Sequence, residues 1–504
     1  MIWLRCIYSM KVFIWKGEVD MSKKPIGGLI VLFGATGDLS SRMLLPALHQ
    51  LYQRGMLSEN FAIVGASRKE MTDEEFQEFA RTSVENGTNF EKFEEDFFNH
   101  CRYQTTDNMK LEDLEKLREK MELTAKEFET PEEFIYYYSI APELYDETTT
   151  NLQKAHITEL SGNHRVIVEK PFGDSLETAE EYHKLLLKEF DQEDIYFMDH
   201  FPGMDFIQNV LASRFFNPLI EGIWNNQFIE NVQISLPENL SIGTRGSFYE
   251  ENGALYDMFQ NHLLQILSIV AMELPSELTA NAIHEEKLNV LKNVPTFTKE
   301  QVEQKVVRGQ YKADSEGKYN SYRGEDHVDS DSDTDTYIAA ELTVDAPRWQ
   351  GVPFYVRTGK ALIEDYIAID VMLKSTDAVT SDVASRMSFM AKPAYGISLV
   401  LNQKMPNNDY EPITTFIGPD KETFGEQYVA DPYENMIHDA LAGDRTYFTT
   451  YDEIKEQWRI TDSIAAAWQE MDRPDFPNYR ANTFGPIEAE DLLTKNHHEW
   501  VKRI

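Results

Sequence analysis

A short apolar run, Gly28 to Phe33 (GLIVLF), ends at Gly34, and the loop Gly34-Ala35-Thr36-Gly37-Asp38-Leu39 follows at once. The run suits a strand buried on both faces. After the loop, Leu39, Met43, Leu44, Ala47, Leu48 and Leu51 recur at helical spacing. A strand that turns on small residues into a helix is the opening unit of a parallel sheet. Small residues also let the backbone approach a pyrophosphate, and the helix N-terminus offers free N–H groups and positive potential. Gly34, Thr36, Gly37, Asp38 and Leu39 are therefore candidate dinucleotide contacts. An ordinary tight turn is the plain alternative.

Further segments extend the pattern. Phe61 to Gly65 reads as a second strand, and MTDEEFQEFARTSV opens a helix with acidic residues in its first turn. Phe134 to Ile140 and Arg165 to Val168 read as later strands. The alternation predicts a Rossmann-like, doubly wound parallel sheet up to about residue 200. Ser67-Arg68-Lys69 closes the second strand. A cation there, where an NAD enzyme places a carboxylate, favours the 2′-phosphate of NADP. Arg68 is the better candidate because its fork binds phosphate bidentately; a surface arginine is the alternative.

Beyond residue 200 the texture changes. FIENVQISL, TYIAAELTV, VPFYVRTG and YIAIDVML are β-rich and lie far apart. They predict an α+β region with a large, mainly antiparallel sheet and helices on one face. DHVDSDSDTD reads as a solvated acidic loop, with a cation site as the alternative. A chain of 504 residues is long for one core. The expected division is a cofactor domain over 21–200 and a substrate and dimerisation domain over 201–504. Residues 1–20 carry Arg5, Lys11 and Lys16 within their apolar stretch and no small-residue cleavage site follows. They are expected to be an upstream extension outside the fold.

Charge narrows the function. Lys and Arg total 48 against 86 Asp and Glu, a formal charge of −38. This argues against a nucleic-acid footprint or an anionic membrane surface. Any phosphate must then sit in a local cationic pocket. The longest apolar run, around Leu263 to Leu274, is too short to span a bilayer. The two cysteines, Cys6 and Cys101, have no metal-like spacing and allow at most one disulfide. A cytoplasmic protein without a metal centre is expected.

Longer motifs are more specific. VIVEKPFGDSLETA, FMDHFPGMDFIQNVLASRFFNPLIEGIWNN, GALYDMFQNHLLQIL, GVPFYVRTGKAL and YRANTFGPIEAEDLL follow the GATGDL loop in that order. Together, over about residues 25 to 500, they resemble the glucose-6-phosphate dehydrogenases. The resemblance implies NADP-dependent oxidation of glucose 6-phosphate to its 1,5-lactone, in the pentose phosphate pathway, by a homodimer or tetramer. Oxidising a hemiacetal carbon requires removal of the hydroxyl proton as hydride leaves, and a histidine near neutral pKa suits that task. By resemblance His262 is that base, and Asp199 is the carboxylate on its other nitrogen. Without the resemblance, His262 would read as a packed core histidine. Lys170 is implied to reach both cofactor and substrate, with a cis bond before Pro171. Glu238 and Asp257 are implied to hold sugar hydroxyls, Lys360 to be a substrate lysine, and His200 to be a retained phosphate contact.

The chain departs from the family on the phosphate side. A D-H-Y-x-G-K pattern becomes Asp199-His200-Phe201-Pro202-Gly203-Met204, so a hydroxyl and a lysine are lost. Met43 stands where the family has lysine, and Arg42 beside it is expected to point about 100° away. Asp365 stands where the family has Lys or Arg. A charge-assisted hydrogen bond contributes about 1.5–3 kcal/mol, so losing two should weaken phosphate binding by about a hundredfold. Three readings follow: a glucose-6-phosphate dehydrogenase with a weakened phosphate pocket, a paralogue that oxidises another aldose, phosphorylated or unphosphorylated, or a non-catalytic homologue that binds a cofactor or partner.

Overall fold

The computed structural model describes residues 25–87, 94–375, 385–392, 395–406, 410–418 and 430–503. The predicted extension at 1–20, with Cys6, lies outside the described residues. The first half of the chain builds strands β1 (Ile26–Phe33), β2 (Leu57–Ser67), β3 (Cys101–Thr105), β4 (Glu133–Tyr138), β5 (Asn163–Glu169) and β6 (Ile195–Met198). They form one sheet in the order β3-β2-β1-β4-β5-β6, and every pair is parallel. The chain reverses direction across the sheet between β1 and β4, where doubly wound sheets hold their ligands.

Alternation along β1 assigns its two faces. Ile30 and Leu32 pack with Leu48, Leu51, Phe76 and Ala80, from the helices Leu45–Gln53 and Asp73–Gly87. Leu29, Val31 and Phe33 pack with Leu114, Leu117, Leu152 and Leu186 on the opposite face. The first face has an unexpected member: Met436, Ile437, Ala440 and Leu441, from the helix Pro432–Ala442, complete its core.

The second sheet comprises β7 (Ile229–Pro237), β8 (Val306–Gly309), β10 (Tyr337–Leu342), β11 (Phe354–Gly359), β12 (Ile367–Leu373), β13 (Arg386–Lys392), β14 (Gly396–Lys404) and β15 (Tyr410–Ile417). The order is β15-β14-β13-β12-β7-β11-β10-β8, antiparallel except where β11 runs parallel to β7. Short β9 (Tyr311–Lys312) and β16 (Tyr479–Arg480) pair apart from it. The sheet has the predicted mainly antiparallel character. Helices bury one face through Ile338, Ala340, Phe354 and Val356. The other face is partly covered too, because Tyr337 and Tyr355 pack with Leu492, Leu493 and Trp500.

One segment links the layers. The helix Gly246–Ala254 breaks at Gly253 (φ 59°, ψ −173°) and continues as a π-helix over Leu255–Leu263. A Cβ at Gly253 would lie 2.8 Å from the Asp335 carboxylate, so the break and the carboxylate fit each other. π-Helical turns are uncommon and cluster at functional sites.

Candidate active site

Asp199 follows β6 directly, and His262 lies on the π-helix. Both are buried. His262 Nδ1 lies 2.9 Å from Asp199 Oδ1 and donates to the carboxylate. The backbone N–H of Phe201 also donates to Asp199 Oδ1, at 3.2 Å. On the other side of the ring, Lys170 Nζ lies 2.5 Å from His262 Nε2. An ammonium can only donate, so Nε2 presents its lone pair and the proton sits on Nδ1. That is the tautomer a general base needs.

Electrostatics agree with this assignment. Burial lowers the His262 pKa, against the pull of Asp199, so the imidazole is ready to accept a proton. Burial pushes Asp199 up, but His262 and Lys170 outweigh it and hold the carboxyl at about 2. The Phe201 ring stacks on His262 with centroids 3.9 Å apart. This phenylalanine, in place of the family's tyrosine, shields one ring face. His200 is pushed down to about 3 by burial and by the charges of His262 and Lys170. It is neutral at physiological pH and offers a phosphate no cation.

Lys170, His200, Phe201 and His262 line a cavity of about 270 Å³ together with Glu238, Asp257, Lys360 and Asp365, with Asp199 behind His262. Lys170 Nζ lies 3.5 Å from Asp257 Oδ1, and Lys360 Nζ pairs with Glu238 Oε2. Burial raises the Asp257 pKa, but Lys170 and its other cationic neighbours bring it below the ordinary value. The Lys170–Pro171 bond is cis, as the resemblance implied. Asp199, His200 and His262 also bring three metal-type ligand atoms within 4.8 Å of one another. The Lys170 ammonium at Nε2 repels a metal cation there.

Two phosphate-side expectations change. Met204 does not line this cavity; it lines an adjoining one of about 600 Å³, together with Met43. Arg42 lines that same cavity. Arg42 is nevertheless committed to Asp38, at 3.3 Å. Asp365 was expected only to repel a phosphate. It faces Lys392 Nζ at 3.7 Å, which offsets its charge.

A third cavity, of about 490 Å³, lies over the β1 loop and is lined by Gly34, Thr36, Gly37, Ser67, Arg68, Lys69 and Asn108. Gly34 has φ 75°, and a Cβ there would lie 2.0 Å from the Ser139 carbonyl oxygen. Only glycine lets the loop sit so low. Thr36 Oγ1 and Ser67 Oγ are 2.8 Å apart, tying the loop to the end of β2. Arg68 is exposed at the rim and forms no ion pair among the described residues. A glycine floor with a cationic rim fits a phosphorylated dinucleotide. Asp38 and Leu39 stand outside the lining: Asp38 pairs with Arg42, and Leu39 packs on the core.

Comparison with known proteins agrees with this arrangement. Residues 31–209 match the family model "Glucose-6-phosphate dehydrogenase, NAD binding domain", and residues 211–501 match "Glucose-6-phosphate dehydrogenase, C-terminal domain". The chain belongs to the glucose-6-phosphate dehydrogenase family. It is 34% identical to glucose-6-phosphate 1-dehydrogenase of Streptococcus pneumoniae, covering 95% of this chain and 97% of the relative. The Bacillus subtilis enzyme is likewise 34% identical, over 94% and 98%. A solved glucose-6-phosphate dehydrogenase in complex with glucose 6-phosphate superposes with a TM-score of 0.87 at 27% identity, covering 95% of this chain and 100% of that one.

Within this family frame, three lining residues had no signal in the sequence reading. Arg245, Lys392 and Tyr433 reach the catalytic cavity from separate elements. Tyr433 follows Asp431-Pro432, the start of a capped helix. That cap was legible as a helix start, but not as part of a cavity wall 171 positions after His262.

Proposed function

We propose that this chain oxidises glucose 6-phosphate to 6-phosphoglucono-1,5-lactone with NADP, the reaction that opens the oxidative pentose phosphate pathway. The observation that carries the reading is the His262 arrangement, with Nδ1 on Asp199 and Nε2 on Lys170 inside a cavity that also holds Glu238, Asp257 and Lys360. NADP, when bound, supplies the acceptor for the hydride from C1. Gly34, Thr36 and Gly37 cradle its pyrophosphate, with the helix start at Asp38 and Leu39 behind them, and Arg68 takes the 2′-phosphate.

The protein's own part is proton transfer and positioning. His262 Nε2 takes the proton of the C1 hydroxyl while the C1–H electron pair leaves as hydride, so the C1–O bond becomes the lactone carbonyl. Asp199 stabilises the imidazolium that results. Glu238 and Asp257 accept hydrogen bonds from ring hydroxyls, and Lys360, held by Glu238, donates to one. Lys170 lines the sugar cavity, and by family resemblance it also reaches the cofactor. Burial of His262 and the Phe201 ring keep water from the proton.

The test is turnover. Purified protein with NADP is given glucose 6-phosphate, then glucose and other aldoses, while NADPH absorbance is followed. Saturable turnover that prefers glucose 6-phosphate is expected. Turnover on glucose but not on its phosphate would establish the second reading, a diverged aldose dehydrogenase, which Met43, Met204 and the neutral His200 favour. No turnover on any aldose would leave a binding homologue.

The same reading divides the chain near residue 200, with cofactor binding in 21–200, substrate binding in 201–504 and residues 1–20 as an upstream extension. It also takes the protein as a cytoplasmic homodimer or tetramer built on the eight-stranded sheet. Cys101, a buried free thiol, fits a reducing compartment, and no described helix is long and apolar enough to cross a membrane. Exposed Leu401, Phe416 and Ile417 on β14 and β15 support the sheet as the contact surface; mass in solution tests it.

A further inference from the structure

Four cations line the catalytic cavity, and three are accounted for. Lys170 faces Asp257 and His262. Lys360 faces Glu238. Arg245 lies 4.6 Å from the Phe248 ring centre and helps keep Asp257 ionised. Lys392 is different. It ends β13, opposite Ile367 of β12, and among the described residues no ion pair ties it to Glu238 or Asp257. Its lining role is double, since it borders both the catalytic cavity and the adjoining one where Met43 and Met204 stand.

We propose that Lys392 holds the phosphate of the sugar substrate, replacing from the sheet the cations this chain lacks at positions 43, 204 and 365. The inference rests on the glucose 6-phosphate reading above. With C1 at His262 and the hydroxyls at Glu238 and Asp257, a phosphate on C6 needs a cation at the far end of the cavity. His200 is neutral there, and Met204 is apolar. Lys392 is the lysine that reaches the boundary beside Met204. In the absence of substrate its counter-ion is Asp365, at 3.7 Å, and the lysine is 57% exposed. Such a solvated pair is loosely held. A phosphate monoester carries close to two charges and three acceptor oxygens, so it displaces the carboxylate. Asp365 thereby becomes a selectivity device: a neutral sugar has nothing to offer the lysine in exchange.

The experiment compares kcat/KM for glucose 6-phosphate with kcat/KM for glucose in wild type, Lys392→Ala, Lys392→Arg and Asp365→Asn. Lys392→Ala should lower that ratio about tenfold or more, mainly through KM for the phosphate. Lys392→Arg should restore most of it, and Asp365→Asn should lower KM for glucose 6-phosphate. NADP affinity of each variant reports folding. A Lys392→Ala ratio within twofold of wild type, with NADP bound normally, overturns the assignment. If that variant does not fold, an unchanged or higher KM in Asp365→Asn overturns it instead. A wild type that oxidises glucose and ignores its phosphate fails the underlying reading, and this is visible before any variant is made.

Discussion

Asp335 accepts a hydrogen bond from the backbone N–H of Leu255 at 3.0 Å, and its own carbonyl accepts from Ala254 at 2.9 Å. These contacts pin the first turn of the π-helix that carries Asp257 and His262. Leaving a buried donor unpaired costs about 1–3 kcal/mol. Asp335→Ala should therefore lower thermal stability by about that amount. It should also lower kcat more than it weakens NADP binding, since the nucleotide cavity lies on the other sheet. Stopped-flow turnover beside equilibrium NADP titration reads both effects. Loss of NADP affinity equal to the loss of kcat would contradict the positioning role.

Removing the base should stop chemistry without emptying the cofactor site. General base catalysis contributes typically 10²–10⁴-fold, so His262→Ala should lose about that much in kcat while binding NADP normally. Asp199→Asn should lose a similar amount, because an amide no longer fixes the proton on Nδ1. Unchanged turnover in His262→Ala would remove it from its role.

Cofactor choice should reside in Arg68. Its guanidinium forms no ion pair among the described residues, so its charge is available to the 2′-phosphate. Arg68→Ala should weaken NADP about ten- to a hundredfold and leave NAD affinity nearly as before. Equal effects on both nucleotides would contradict the assignment.

Stability should fall in acid solution. Burial raises Glu453, but Lys287 and His284 outweigh it and hold it at about 2, as His262 and Lys170 hold Asp199. Groups depressed in the fold contribute stability above their unfolded values, 4.5 and 3.8, and lose it as pH falls toward 2. Glu169 and Asp335 behave oppositely: burial raises them to about 7 and about 6. Their contribution is complete below their unfolded values and disappears as pH rises through 6 to 7. The buried histidines His200 and His49, held at about 3 and about 4, cost stability as pH falls below their ordinary 6.5, so chemical denaturation across pH should show the fold weakening from about pH 6 downward. Glu453→Gln, which leaves Lys287 buried and charged, should cost about 3–5 kcal/mol at pH 7.

The first sheet was legible because its strands are short apolar runs separated by helical periods, and its glycine loop follows directly on β1. The catalytic pair was not legible from spacing. Asp199 and His262 are 63 positions apart, and only the long motifs around them brought them together. Position within a cavity was harder still. Lys392 looks like a surface lysine at a strand end until the pairing of β13 with β12 sets it opposite Ile367. The acidic run at 326–335 read as solvated. Its Asp331 and Asp333 instead hold Arg473, and Asp335 is buried because two backbone donors receive it. Local composition described the loop's exposed part and missed the one residue that turns inward.

The helix Pro432–Ala442 fills the first sheet's core although it lies more than 230 residues beyond β6 in the chain. A ribosome adds about 5–20 residues each second, so the nascent nucleotide-binding half waits on the order of ten seconds or more for its own missing wall. During that interval the apolar face around Ile30, Leu48 and Leu51 is uncovered. Biosynthesis of this protein therefore has a built-in window of vulnerability, and a truncated first half made alone should clump where the full chain does not.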